Sequence, residues 1–239
     1  MHLPLPSLIM NWLISPAATQ IGDEFKYRQD GLTLCSADIA NLRASIKSQR
    51  MTDRATIISA ALQIDAALEA WALAMSSQNS YDSVFGIENS NECLESFYHV
   101  YEYLWTAQVW NSYRLLRLLI HHIVLAQLGQ PSSLSKPSDQ ASIVPQFDRS
   151  KSLAIQLCSD ICASVPYMLD SFPDKSTSLH PSMQRSLGGL MLLWPLYAGV
   201  CMTPCVDERM RQWAIGRLQY IDSIMGIKQA GLMAATLLR

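Results

Sequence analysis

The chain has 239 residues, 49% hydrophobic and 16% charged, with 18 basic against 20 acidic side chains. That balance excludes a disordered chain, which needs low hydrophobicity and high net charge. A net charge of −2 offers no positive field to draw in phosphate backbones, so direct nucleic-acid binding by this chain is not expected.

In chain order, the opening MHLPLPSLIMNWLISPAA is apolar, but prolines interrupt it and no Lys or Arg precedes the apolar run, unlike a secretory signal. Residues 1–52 are expected to carry short helices, ahead of a helical domain over 53–239. Asp53 is placed to cap a helix in which Ile57, Ala61, Ile64, Leu68, Trp71 and Met75 form one apolar stripe, with Gln63, Asp65 and Glu69 on the opposite face. From Glu92 to Leu128 there is neither proline nor glycine. Large rings at Phe97, Tyr98, Tyr101, Tyr103, Trp105, Trp110 and Tyr113 mark this run as the central helix, enclosed by others.

The Ser- and Pro-rich stretch at 129–146 reads as a mobile loop, and a second is expected near 171–185. Between them a helix is predicted over 148–164, stopped by Pro166. Helices are predicted over 186–201, from about Pro204 to Met225, and over 228–238. No alternating strand pattern stands out. The fold class expected is all-α: one domain of packed antiparallel helix pairs, in a solenoid-like stack. Leu115–Leu128 and Leu187–Met202 are apolar, but charged or His residues break the first and Pro195 the second, so both read as core helices and no membrane partner is expected.

Six cysteines, at 35, 93, 158, 162, 201 and 205, are too sparse for a disulfide scaffold and fit a reduced compartment. Cys158 with Cys162 and Cys201 with Cys205 form two CxxxC pairs. They read as small buried hydrophobes, and no metal or cofactor is expected. His121 and His122 point about 100° apart on a helix, which suits a shared metal poorly. No GxSxG elbow, cysteine signature or phosphate loop is present, so no enzymatic activity is expected. Arg114 and Arg117 stand out because they lie in an aromatic and apolar run. There they must reach solvent, pair with acids, or meet a ligand. The candidate ligand site is an anionic effector held by these two beside Trp105 and Trp110, with Trp194 as a further lining residue.

Three blocks carry a resemblance. They are AQVWNSYRLLRLLIHHIVL with Trp110, Asn111, Tyr113 and Arg114; LGGLMLLWPLYAGVCM with Leu193, Trp194, Pro195 and Leu196; and RQWAIGRLQYIDSIMGIKQAGLMA with Trp213, Met225, Gly226, Ile227, Gln229 and Ala230. In content and order, over roughly 95–239, they resemble the fungal-specific regulatory domain of binuclear zinc-cluster transcription factors. The DNA-binding module of that family, a compact six-cysteine cluster flanked by basic residues, is not matched by the scattered cysteines here, nor is its coiled-coil element. The resemblance implies an all-α domain in the nucleus, or alternatively the cytoplasm. It would tune transcription through protein partners, either the transcription machinery or a second copy, and answer to a small-molecule effector. The alternative reading is a free-standing small-molecule binder or cofactor-free enzyme that uses an apolar helical pocket.

Overall fold

The structure, a computed structural model, describes residues 23–76, 81–86, 91–129, 137–171, 181–203 and 206–238. Among these are seven helices: α1 (Asp23–Lys47), α2 (Arg54–Ser76), α3 (Leu104–Leu128), α4 (Pro137–Met168), α5 (Pro181–Met202), α6 (Glu208–Met225) and α7 (Lys228–Leu237). Two short strands, β1 (Tyr81–Phe85) and β2 (Phe97–Tyr101), lie between α2 and α3. The all-α expectation holds for the body of the molecule. Each helix packs on its successor, and α1 also meets α3, α3 meets α5, and α5 meets α7. This one-and-next contact pattern is the stacking expected of a solenoid-like array.

The core follows helical periodicity. α1 buries Leu32, Cys35, Ile39 and Leu42; α2 buries Ile57, Ala61, Leu68, Trp71 and Met75, with Ile64 packed at the edge. The Thr56 N–H donates to Asp53 Oδ2 (2.8 Å), so Asp53 caps α2 as its position predicts. By length and composition Arg54–Met75 is apolar enough to cross a membrane. α3 is the central helix: 17 of its 25 residues are buried, charged ones included.

Several boundaries differ from expectation. Among the described residues of the N-terminal segment, 23–52, there is one 25-residue helix, α1, joined to the common core; the expectation for residues 1–22 lies outside the described ones. The long aromatic run is split. Phe97–Tyr101 is a strand paired antiparallel with Tyr81–Phe85, and α3 begins only at Leu104. FYHVY consists of aromatic, His and β-branched residues, which fit a half-buried pleated surface better than a helix. Absence of proline and glycine was permissive for a helix, and ring density carried the stronger signal.

The predicted loop at 129–146 is also shorter, because α4 starts at Pro137, where a proline at the first helical position loses no hydrogen bond. Pro145 and Pro166 both lie inside α4. The helix runs past Pro166 and ends where Asp170 adopts a left-handed conformation (φ 52) and the Ser171 N–H returns to Pro166 O. α5 likewise starts at Pro181, within the second expected loop. α6 begins after Asp207, whose carboxylate accepts from the Met210 N–H (2.6 Å), and not at Pro204, which lies outside the described residues.

Candidate functional site

α3 builds the site. At about 100° per residue, Trp110, Tyr113, Arg114, Arg117 and His121 fall on one stripe, whereas Trp105 stands about 140° from Trp110. The structure follows this geometry. Trp110 is buried in an aromatic cluster with Trp71, Tyr81 and Tyr113, at ring separations of 5.8, 5.2 and 5.6 Å. Trp105 is half-buried and stacks on Tyr103, and Trp194 sits half-buried on α5 against Tyr197. Of the five candidate residues, Trp110, Arg114 and Arg117 therefore share one stripe, while the ring contacts of Trp105 and Trp194 lie elsewhere.

The two arginines solve burial differently. Arg117 pairs with acids: its Nε and Nη2 grip Asp65 at 2.6 and 2.7 Å, Nη2 also reaches Glu69 Oε1 at 2.7 Å, and Nη1 donates to the Tyr113 hydroxyl at 3.1 Å. His121 Nε2 approaches the same carboxylate at 3.2 Å. Burial pushes the Asp65 carboxyl up, but His121 and Arg117 outweigh it and hold its pKa at about 2. Asp65, expected on the solvent face of its helix, is instead buried against α3. An apolar stripe wide enough to read as a helix's whole contact face conceals such a second contact.

Arg114 is 1% exposed, with no carboxylate in hydrogen-bond contact. Its Nη1 donates to Tyr101 Oη (2.8 Å) and Asn111 Oδ1 (2.9 Å), its guanidinium lies 4.9 Å from the centre of the Tyr81 ring, and Nη2 has no hydrogen-bond partner. Such a charge is tolerated because the ring face and two oxygens replace part of its hydration. Burial raises Tyr101 to about 12, against the pull of Arg114, so the phenol stays neutral and accepts. Nearby on the hairpin is His99, lowered by burial and by Arg114 against the opposing pull of Asp160 on α4. Burial raises Asp160, but His99 and Arg114 bring it below the ordinary carboxylate value. Sequence reading missed Tyr81, Tyr101, His99 and Asp160, because nothing in their spacing ties a hairpin to α4.

Asn111 extends the site along the α3–α4 interface. Its Nδ2 donates to Ser164 Oγ (2.8 Å) and reaches Met168 Sδ (3.2 Å). Cys158 and Cys162 are buried on α4 and Cys201 is exposed; Cys205 lies outside the described residues. Among the described residues no group of three or more His, Cys, Asp or Glu is arranged for a metal ion. A groove of about 450 Å³ on α2, lined by Ala55, Thr56, Ser59, Ala60 and Gln63, carries no ionisable group. Comparison with family models, curated proteins and solved structures finds no match.

Proposed function

We propose that the chain is a regulatory, effector-sensing helical domain of the kind found in fungal zinc-cluster regulators, acting in the nucleus through protein contacts. The observation that carries this reading is how the three resembling blocks meet. Asn111 of the first bonds Ser164 and Met168 at the end of α4. The carbonyl of Met168 lies against Gly188 in the second block, and the adjacent Gly189 faces Met225 and Ile227 of the third. Residues distant in sequence thus form one packing line, which favours a common domain over three chance likenesses. Net charge and the scattered cysteines favour a domain that relies on protein partners to reach DNA.

A small-molecule effector is the second part of the proposal, and the specific support is Arg114 with its unpartnered Nη2 beside aromatic rings. The test is a reporter assay with the chain inserted between a heterologous DNA-binding domain and an activation domain. We expect at least about a fivefold change in output, about 1 kcal/mol in coupling by RT ln 5, relative to a linker of equal length. Output should respond to anionic metabolites in the native chain and not in Arg114→Met. Unchanged output at matched protein level overturns the regulatory reading.

A further inference from the structure

The hairpin carries a constellation that a regulatory role does not use. Ser83 on β1 stands directly opposite His99 on β2. The Gly86 N–H donates to Ser96 O, so by the antiparallel alternation Asp82/Val100 and Val84/Tyr98 are the hydrogen-bonded pairs and Ser83/His99 is not. Non-hydrogen-bonded pairs bring side chains closest, and Ser83 Oγ lies 3.1 Å from His99 Nδ1. The same alternation turns the Ser83 backbone N–H away from β2, toward the outer edge of the two-stranded sheet.

On the far side of the ring, His99 Nε2 faces Asp160 Oδ1 at 3.8 Å. That separation is longer than a hydrogen bond, as such contacts often are before substrate closes a site. Asp160 is oriented by Gln156, whose Nε2 donates to the same oxygen at 2.9 Å. Hydroxyl, imidazole and carboxylate thus stand in line, each from a different element. Ser83 is exposed while His99 is 4% exposed, so the nucleophile can be reached and its base is shielded from water. Burial keeps His99 neutral and its two neighbours keep Asp160 ionised, which are the states a base and its orienting acid require. One step along the same face, Phe85, 72% exposed, and Phe97 lie 5.6 Å apart and offer an apolar surface beside the hydroxyl.

We propose that Ser83, His99 and Asp160 form a nucleophilic acyl-transfer site whose substrates are esters of small apolar acyl groups, an activity beyond the regulatory reading and independent of it. Ser83 Oγ attacks the ester carbonyl carbon while His99 Nδ1 takes the hydroxyl proton. The Ser83 N–H, free at the sheet edge, donates to the developing oxyanion. Collapse breaks the bond to the leaving oxygen, which receives the proton from His99 and departs as an alcohol. The Ser83 acyl ester is then hydrolysed by water, with His99 again base and acid in turn, which returns free Ser83 and a carboxylic acid. Phe85 and Phe97 hold the acyl chain.

The test uses the full chain with a fluorophosphonate probe and with p-nitrophenyl acetate and butyrate. The expected result is a single label on the peptide carrying Ser83 and preference for butyrate. Turnover should fall about 100-fold or more in Ser83→Ala and about 10-fold or more in Asp160→Asn. Because Ser83 is exposed, Ser83→Ala should keep the native thermal midpoint, which separates lost chemistry from lost folding. Activity should rise with pH through one ionisation placed below the ordinary histidine value. Absence of label on Ser83 at excess probe, or ester turnover unchanged in Ser83→Ala, overturns the proposal. Either result leaves the reporter assay as the separate judge of the regulatory reading.

Discussion

A buried arginine is expensive unless something replaces its water, and α3 shows both ways of doing so within one turn of a single helix, at Arg114 and Arg117. Arg117 meets Asp65 in a fork-to-fork pair, a geometry that suits planar guanidinium and carboxylate. Removing one partner of such a pair leaves the other charged and desolvated. We expect Asp65→Asn to lower unfolding free energy by about 3 kcal/mol at neutral pH, read as a shift in urea midpoint. The sign of the pH dependence follows from the depressed carboxyl. Its stabilisation is fully present above the unfolded value near 3.8 and is lost as pH falls through the folded value of about 2. The gap between native and Asp65→Asn chains should therefore narrow between about pH 4 and 2. A constant gap would mean that the carboxylate charge contributes nothing. From sequence the two arginines were conspicuous as charges in an apolar run, but their partners were not, since the Asp65 contact spans 52 positions and the Tyr101 contact depends on a strand.

At the scale of elements, local chemistry explains which boundaries could be read. Asp53 before an apolar stripe and Gly226 after Met225 are signals carried by single residues. Gly226 adopts φ 73, which glycine tolerates without a Cβ penalty, and its N–H bonds Asp222 O, so the MGI turn ends α6. The hairpin was missed because residues 86–96 separate its strands, which leaves no two-residue turn to see. Prolines misled in the opposite direction, since α4 continues through Pro166 for two residues, to Met168, although proline there gives up a backbone hydrogen bond. Gly188 carries a packing constraint that sequence displays only as a glycine pair. A Cβ there would collide with the carbonyl of Met168, backbone that has no rotamer to yield. Gly188→Ala should push α5 from the end of α4 and cost about 3 kcal/mol, although alanine is intrinsically the better helix former. Equilibrium unfolding of that variant, beside Gly216→Ala, where nothing lies within 4 Å, separates collision from propensity. Equal stability changes of either sign in the two variants would refute the collision.

For the molecule as a whole, the core decides how it unfolds. One cluster of buried residues includes Ile39 of α1, Leu68 of α2, Leu119 of α3, Val165 of α4, Leu196 of α5, Ile221 of α6 and Met233 of α7. α1 joins this cluster by packing on both α2 and α3. In a stacked array each helix depends mainly on near neighbours, so the ends should be the weakest part. Here α7 touches α5 as well as α6, the same next-but-one contact that α1 makes with α3 and α3 with α5, so the last two helices are stacked on the array like the others. Deleting residues 204–239 removes Met210, Ala214, Leu218, Ile221 and Met233 from the cluster and uncovers the α5 face they cover. At about 2 kcal/mol for each of the four large side chains among them, the loss is about 8 kcal/mol, comparable to the whole stability of a typical domain. The truncated chain should therefore lose its cooperative thermal transition and bind a hydrophobic dye, with helical circular dichroism only partly reduced, since α2 to α4 keep their mutual contacts. A transition as sharp as that of the full chain would instead make the last two helices an appendage to an already complete fold, and the packing line from Asn111 through Gly189 to Met225 would lose its meaning as the spine of the domain.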